Sequence, residues 1–235
     1  MGGHVEYVDV ARAESERGEI VLRERQDTDA GDHARSVLEL RVNGVFVMDV
    51  LETSSEKGLA SASLKQVEHP RNVVVGGLGL GFTMHEVLAD QRVEKLVVVE
   101  IEEALVQWMR DGTIPHGPSY LADERVTVMT ADIRVAMAEA TPAVYDLVLL
   151  DVDNGPGFLV YDDNAAVYEQ EFLALTRACL RPGGALVIWS AAESPALQEE
   201  MQAAFGNVVA IPFDVALQSR DEHYLLYLSR NRPTD

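Results

Sequence analysis

The sequence predicts an α/β fold, with a Rossmann-like, seven-stranded, mostly parallel sheet behind a small N-terminal antiparallel β module. Three observations carry this expectation. The run Val73-Val-Val-Gly-Gly-Leu-Gly-Leu-Gly-Phe-Thr83 passes from β-branched residues into glycines and then into a helical stretch at 82–90. Strand, glycine turn and helix is how a parallel sheet presents backbone N–H groups to a nucleotide. A second β-branched run, Lys95–Glu100, ends in an acid. Further strand-like runs then alternate with helical stretches, the pattern that builds parallel sheets.

Residues 1–52 form the β module and 53–235 the main domain. Residues 18–25 alternate apolar and polar, and 36–42 meets 45–50 across Asn43-Gly44, a strong hairpin signal. A polar loop, Asp27-Thr-Asp-Ala-Gly-Asp32, lies between these stretches. Residues 54–67 read as a helix with a Ser leading in as cap and His69-Pro70 as its stop. Beyond Glu100 come a helix at 102–110 and a turn-rich loop through Gly112, Pro115, Gly117 and Pro118. Residues 125–129 are the third strand of the main sheet, followed by Thr130-Ala-Asp132 and a helix at 133–140. Tyr145–Leu150 is almost wholly apolar, so both its faces are expected to be buried. It runs into Asp151-Val-Asp-Asn-Gly-Pro-Gly157, a loop to Asn164 and a helix at 167–180. Arg181-Pro-Gly-Gly184 turns the chain into a strand at 185–189, and a helix follows at 195–205. Strands at 208–212 and 224–228 have no helix between them, so this last pair is expected to be antiparallel.

With 235 residues, 47% of them hydrophobic and 25% charged, the chain has ordinary globular composition. The net charge of −20 comes with no basic run, which argues against nucleic acid as a partner. It suits a cationic or neutral small substrate, and equally a solvated acidic surface. The single Cys179 sits in an apolar helical pattern and reads as a core thiol. No apolar run approaches the roughly 20 residues that span a bilayer, and the start has no signal-like apolar region. Met1-Gly2 is followed by Glu6 where myristoylation wants Ser or Thr. A cytoplasmic protein without a membrane partner is expected.

Glycine spacing selects the kind of nucleotide. Gly77-x-Gly79-x-Gly81 lacks the third glycine of dinucleotide binding, because Phe82 stands there, and no Gly-Lys-Ser/Thr follows to make a P-loop. The spacing suits a loop that admits an uncharged nucleoside, as in the class I S-adenosylmethionine-dependent methyltransferase fold; a merely tight turn would also use it. Ligands of open α/β sheets sit beyond the carboxyl ends of the strands. That rule selects Gly77–Gly81, Glu100, Asp132, and Asp151 with Asp153. Each acid alone is a plausible helix cap, but acids after four consecutive strands behind a glycine loop form a pattern. Glu100 would accept from ribose hydroxyls and Asp132 from the adenine amino group. Asp151 and Asp153 would lie near the reacting end. His85 and His116 read as packing or surface residues. Tyr161 with Asp162-Asp163 stands where a lid would, or an ordinary acidic loop.

From Asn43 to Pro195 the chain resembles the spermidine synthase family of class I S-adenosylmethionine-fold transferases. The resemblance lies in the Asn43-Gly44 hairpin, the segment 74–83, Val98-Val-Glu-Ile101, Asp123-Glu-Arg-Val126, Ala131-Asp132, Tyr145-Asp-Leu-Val-Leu-Leu-Asp151 and Pro182-Gly-Gly-Ala-Leu-Val187. It implies ribose binding by Glu100, adenine binding by Asp132 and a homodimer through the N-terminal module. The implied cofactor site comprises Gly77, Gly79, Gly81, Glu100, Ile101, Asp132 and Asp151, with Asp153 and Asp151 catalytic and no metal. Departures fall on the amine side. Leu80 stands where the family carries an acid for the amine of the decarboxylated donor. Val45-Phe-Val-Met48 and Ser55-Glu-Lys-Gly-Leu-Ala60 replace a Gln and a Tyr-His-Glu stretch. The family's second loop acid falls on Asn154, with Asp153 one position early; standing nearest that catalytic position, Asp153 is given the acceptor-facing role by the resemblance, with Asp151 closer to the donor. Methyl transfer from S-adenosylmethionine to a small-molecule nucleophile is therefore the first expectation. Aminopropyl transfer from decarboxylated S-adenosylmethionine to a cationic amine is the second. Metal-assisted O-methylation through Asp151 and Asp153 is weaker, since Trp189-Ser190 offers few further oxygen ligands. A non-catalytic nucleoside-binding or dimerisation module is the alternative of another class.

Overall fold

A computed structural model describes residues 5–27, 36–153, 155–157, 159–217 and 220–232. The polar loop expected after Asp27, the Met1-Gly2 start and Asn154 lie outside the described residues. The first four strands are β1 (Val5–Ser15), β2 (Gly18–Asp27), β3 (Val37–Val42) and β4 (Val45–Asp49), paired as an antiparallel meander. Asn43 and Gly44, both at positive φ, close the β3–β4 hairpin as the Asn-Gly signal requires. β1, which the sequence pattern did not single out, pairs with β2 along its length around a bulge between Asp9 and Ala11.

The main sheet has seven strands in the order β10-β11-β9-β8-β5-β6-β7. Its parallel part consists of β5 (Asn72–Gly76), β6 (Lys95–Glu100), β7 (Val126–Thr130), β8 (Tyr145–Leu150) and β9 (Leu180–Ser190). β10 (Val209–Leu217) and β11 (Arg220–Arg230) form the expected antiparallel pair, with β11 against β9. The helices are α1 (Ser54–Leu64), α2 (Phe82–Ala89), α3 (Glu103–Asp111), α4 (Gly117–Leu121), α5 (Ile133–Glu139), α6 (Gln170–Cys179) and α7 (Pro195–Phe205). Successive strands run outward from β5 to β7, then restart on its other side at β8. A crevice opens where the order reverses.

Several local expectations are corrected. The residue capping α1 is Thr53, with no side-chain cap bond, and the helix ends at Leu64 rather than at His69-Pro70. The turn-rich loop after α3 contains α4, which starts on Gly117-Pro118, a favoured opening for a helix. A 3-10 helix, Asp162–Tyr168, occupies the end of the expected loop, so α6 starts only at Gln170. Residues 181–184 belong to β9 as an irregular widening: Leu180 pairs with Tyr145 but Ala185 with Leu147. Gly183, at φ 86°, takes the left-handed turn within it.

Apolar residues on the two faces of the main sheet nucleate two cores. One joins Val73, Val75, Leu96 and Leu147 to α1, α2 and α3, and also takes in Ile20, Leu22, Leu38 and Leu40 of the small sheet. The other packs Val74, Val148, Leu150 and Ile188 against α5, α6 and α7, and buries Cys179. The small sheet thus packs on the same side as α1, at the mouth of the crevice. No helix among the described residues is long and apolar enough to cross a membrane.

Candidate active site

The crevice is a cleft of about 800 Å³, counting its open mouth. The main sheet supplies Gly77, Gly79, Glu100, Ile101, Asp132 and Asp151 to its wall, and the β module supplies Ile20, Leu40, Val42 and Val47. Gly77 sits at the switch point itself. Its N–H donates to Val99 O at 2.9 Å, while the Asp151 N–H donates to Gly76 O at 2.8 Å. At φ 97°, a Cβ on Gly77 would stand 2.1 Å from Asp151 O, so only glycine lets β5 and β8 leave the sheet this close together. A Cβ on Gly79 would instead meet Met48 Sδ at 2.7 Å. Gly81 is not on the wall. It precedes α2 at φ 86° and faces Met109 and Tyr120.

Glu100 is buried and organises the turn above it. Its Oε2 accepts from Leu78 N–H at 2.9 Å and its Oε1 from Glu102 N–H at 2.8 Å. Burial pushes its carboxyl above the usual range, and these N–H donors oppose the shift. Asp132 caps α5, accepting from Arg134 N–H at 2.8 Å, and the Arg134 guanidinium holds both of its oxygens. Burial acts to raise its carboxyl, but the Arg134 contacts outweigh it and leave it below the ordinary value. Asp151 accepts from Thr83 Oγ1 at 2.7 Å, and burial raises its carboxyl.

Asp153, expected to face the acceptor, lies behind this wall instead. Its Oδ1 accepts from Val160 N–H at 2.7 Å and Asn164 Nδ2 at 2.9 Å, and its Oδ2 from Tyr168 Oη at 3.2 Å. Three residues beyond the end of β8 the backbone has already turned, so Asp153 closes the loop that carries Tyr161 and Asn164 over the cleft. Of the two acids at this strand end, Asp151 lines the cleft, beside Val152.

Residues that sequence reasoning left without a role surround the site. Glu102 Oε1 accepts from Arg17 Nε at 2.7 Å, Ser15 Oγ at 3.2 Å and Tyr161 Oη at 3.1 Å. Arg17 also donates to Ile101 O at 3.1 Å, so the β1–β2 turn and the post-β8 loop meet over the end of β6. Thr83 links Asp151 to α1 through a 3.5 Å contact with Glu56 O. Glu56 itself is partly buried at the start of α1. Glu102 could have been noticed as a second acid two places past Glu100, whereas an acid in a first helical turn such as Glu56 reads as ordinary dipole stabilisation. His116 packs between Phe82 and Tyr120 and contacts Leu80 O through Nε2 at 2.7 Å; His85 stacks on Tyr120. Among the described residues, no three His, Cys, Asp or Glu side chains are grouped to hold a metal ion.

Residues 52–211 match the spermine/spermidine synthase domain. The chain is 30% identical over 214 residues to polyamine aminopropyltransferase 2 of Hyperthermus butylicus, a match spanning 84% of this chain and 67% of that protein. It is 30% identical over 133 residues to putrescine N-methyltransferase 3 of Nicotiana tabacum, spanning 56% and 32% respectively. The chain spans about a third of the length of several curated relatives it matches. The fold superposes on spermidine synthase from Thermotoga maritima with a TM-score of 0.74, covering 95% of this chain and 72% of that one at 16% identity.

Proposed function

Since the chain belongs to the spermine/spermidine synthase domain family, we propose that it is a transferase using an S-adenosylmethionine-type donor, and that it moves a methyl group to a small amine. The observation that carries this reading is the convergence of Gly77, Gly79, Glu100, Asp132 and Asp151 on one cleft. The fit to a nucleoside rests on the turn at Gly77 and Gly79, where any Cβ would intrude, and on Glu100, whose two N–H partners leave lone pairs for hydroxyls. Ile101, Ala131 and Ile133 offer an apolar bed for a base, with Asp132 at its edge. When bound, the donor supplies an electrophilic carbon on a sulfonium. Asp151 would orient the acceptor's nitrogen toward it, and Asp153 would hold the loop that excludes water.

Leu80 favours methyl over aminopropyl transfer. At the position where the family resemblance puts an acid for a bare ammonium, this chain has a fully buried Leu whose N–H points at Met48 Sδ, 3.1 Å away. A donor that retains its carboxylate beside the ammonium brings a like charge toward any acid there, so an apolar residue suits it better. An amine acceptor is supported by the net charge of −20 and by relatives named for putrescine methylation and polyamine aminopropyl transfer. Aminopropyl transfer is the second reading, favoured by the aminopropyltransferase match across 84% of the chain. The deciding experiment pairs intact and decarboxylated S-adenosylmethionine, each with putrescine, other amines and phenolic acceptors. Methylated product from the intact donor supports the first reading. Product from the decarboxylated donor alone replaces it with the second.

Asp151→Asn should lower turnover by roughly 10²–10⁴, the usual share of a positioned acid or base. Asp153→Asn keeps one acceptor oxygen for three donors and should lower thermal stability together with turnover. A variant of Asp151 with full activity would remove that carboxylate from the chemistry.

A further inference from the structure

A single carboxylate oxygen gathers three separate donors on the cleft wall. Glu102 is buried, and its Oε1 accepts from Arg17 Nε at 2.7 Å, Tyr161 Oη at 3.1 Å and Ser15 Oγ at 3.2 Å. These donors come from the β1–β2 turn and from the loop after β8, about 140 residues apart. Through its backbone the same residue serves Glu100, since the Glu102 N–H donates to Glu100 Oε1 at 2.8 Å. Arg17 makes a second contact on the wall, its Nη2 donating to Ile101 O at 3.1 Å. The turn that carries Arg17 is itself braced. The Arg17 N–H donates to Ser15 Oγ at 3.1 Å, and the Arg17 carbonyl accepts from Asn43 Nδ2 at 3.2 Å. Asn43 Oδ1 takes the Glu19 N–H and stands 2.0 Å from where a Gly18 Cβ would be, so the β3–β4 turn holds the β1–β2 turn in place. Among the described residues no Lys or Arg lines the cleft, and Arg17 is the one cation paired with Glu102. A buried carboxylate that loses such a partner is left uncompensated at considerable cost.

We propose that Arg17, Glu102 and Tyr161 form a clasp across the nucleoside end of the cleft, which makes the β module part of the donor site; the assignment rests on the transferase reading. Ile101, Glu102 and Tyr161 line the cleft, and so do Ile20, Leu40 and Val42 of the module. The clasp ties these two parts of the wall together and brings the post-β8 loop against them. Its connection to the ligand runs through one residue. The Glu102 side chain takes the clasp donors while its N–H aims the ribose-facing Glu100. Opening the clasp frees Glu102 to turn toward water, and Glu100 then loses one of the two N–H groups that orient it. Arg17 and Tyr161 are thus positioning residues that act through Glu102, and the reacting carbon is left to Asp151. Donor binding and docking of the module become one equilibrium, in which each strengthens the other by the same factor.

The test uses the full chain as wild type, Arg17→Ala, Arg17→Lys, Tyr161→Phe and the Arg17→Ala/Tyr161→Phe double variant, with methylthioadenosine as the probe. Calorimetry reads affinity, and hydrogen exchange reads the amides of residues 15–18 and 159–164 with and without the probe. Arg17→Ala should weaken methylthioadenosine roughly 5–150-fold, the usual range of a coupling between sites, and raise the donor KM far more than it lowers kcat. Arg17→Lys should recover only part of the affinity, because an ammonium keeps the charge but lacks the fork that serves Glu102 and Ile101 together. Tyr161→Phe keeps the ring and should cost less. The double variant should lose less than the product of the single losses, since both partners act through the same oxygen. In wild type the probe should slow exchange in the β1–β2 turn and in the post-β8 loop together, a response that a merely structural ion pair would not give. Tyr161→Phe and the wild-type exchange decide the matter even where Arg17→Ala fails to fold. Unchanged affinity in Tyr161→Phe with exchange in the turn indifferent to the probe overturns the clasp and leaves the transferase reading standing. A wild type that binds neither methylthioadenosine nor S-adenosylmethionine overturns both.

Discussion

Glu100 makes two contacts that keep the glycine turn in register with β6, and it is the acid with which a ribose would compete least. Removing it should act twice. Glu100→Ala orphans the buried Leu78 and Glu102 N–H groups and lowers the melting temperature. It should also weaken methylthioadenosine binding by roughly 1.5–3 kcal/mol, the range for hydrogen bonds to a charged group. Calorimetry on the folded variant separates the effects, and unchanged affinity would rule out a ribose role. Strand-end acids are legible in sequence because the β-branched run before them fixes where the strand stops. Where each side chain points is not written there. Asp151 and Asp153 look interchangeable on the page, and only the turn after β8 sends one to the cleft and the other beneath the loop.

Strands and long helices were recovered because burial on both faces leaves unbroken apolar runs, as in β8, while helices return one apolar face at regular spacing. The short α4, the 3-10 helix and the widening of β9 escaped because turn residues within them read as breaks. Arg125 shows what holds consecutive elements together. It donates to Leu88 O at 2.6 Å, Val93 O at 3.0 Å and Asp90 O at 3.3 Å, tying the end of α2 to the start of β7. Asp123 fixes its guanidinium, and that hydrogen bond lowers the Asp123 carboxyl to about 2. A carboxyl depressed on folding adds stability above its unfolded value near 4 and loses it as pH falls toward 2. Asp123→Asn should therefore flatten this acid limb of the stability curve while changing little near pH 2. Arg125→Ala strands three carbonyls and should cost roughly 1–3 kcal/mol near neutral pH. A chemical denaturation series at several pH values checks both. Gly77→Ala should be worse than either variant, since positive φ and the Asp151 carbonyl oppose it together.

At the scale of the molecule, the β module raises a question that its own fold leaves open. β1 is an edge strand, and Val5, Tyr7, Val8 and Val10 along it are each 42–49% exposed. Val45 and Phe46 add a second apolar patch at the β3–β4 turn. A long apolar edge left bare would invite uncontrolled pairing. We expect a homodimer that covers it, as the family resemblance implies. The net charge of −20 makes the expectation sharper. Two copies repel at low ionic strength, whereas burial of apolar side chains is nearly indifferent to modest salt. An apolar interface should thus tighten as salt is added and screens the repulsion. An interface built on ion pairs should loosen instead. Light scattering at micromolar concentration across a salt series reads the difference. Val8→Lys combined with Phe46→Glu should yield a monomer that keeps its melting transition, since both side chains lie outside the core. A wild type that stays monomeric at every salt concentration would leave the module without this role.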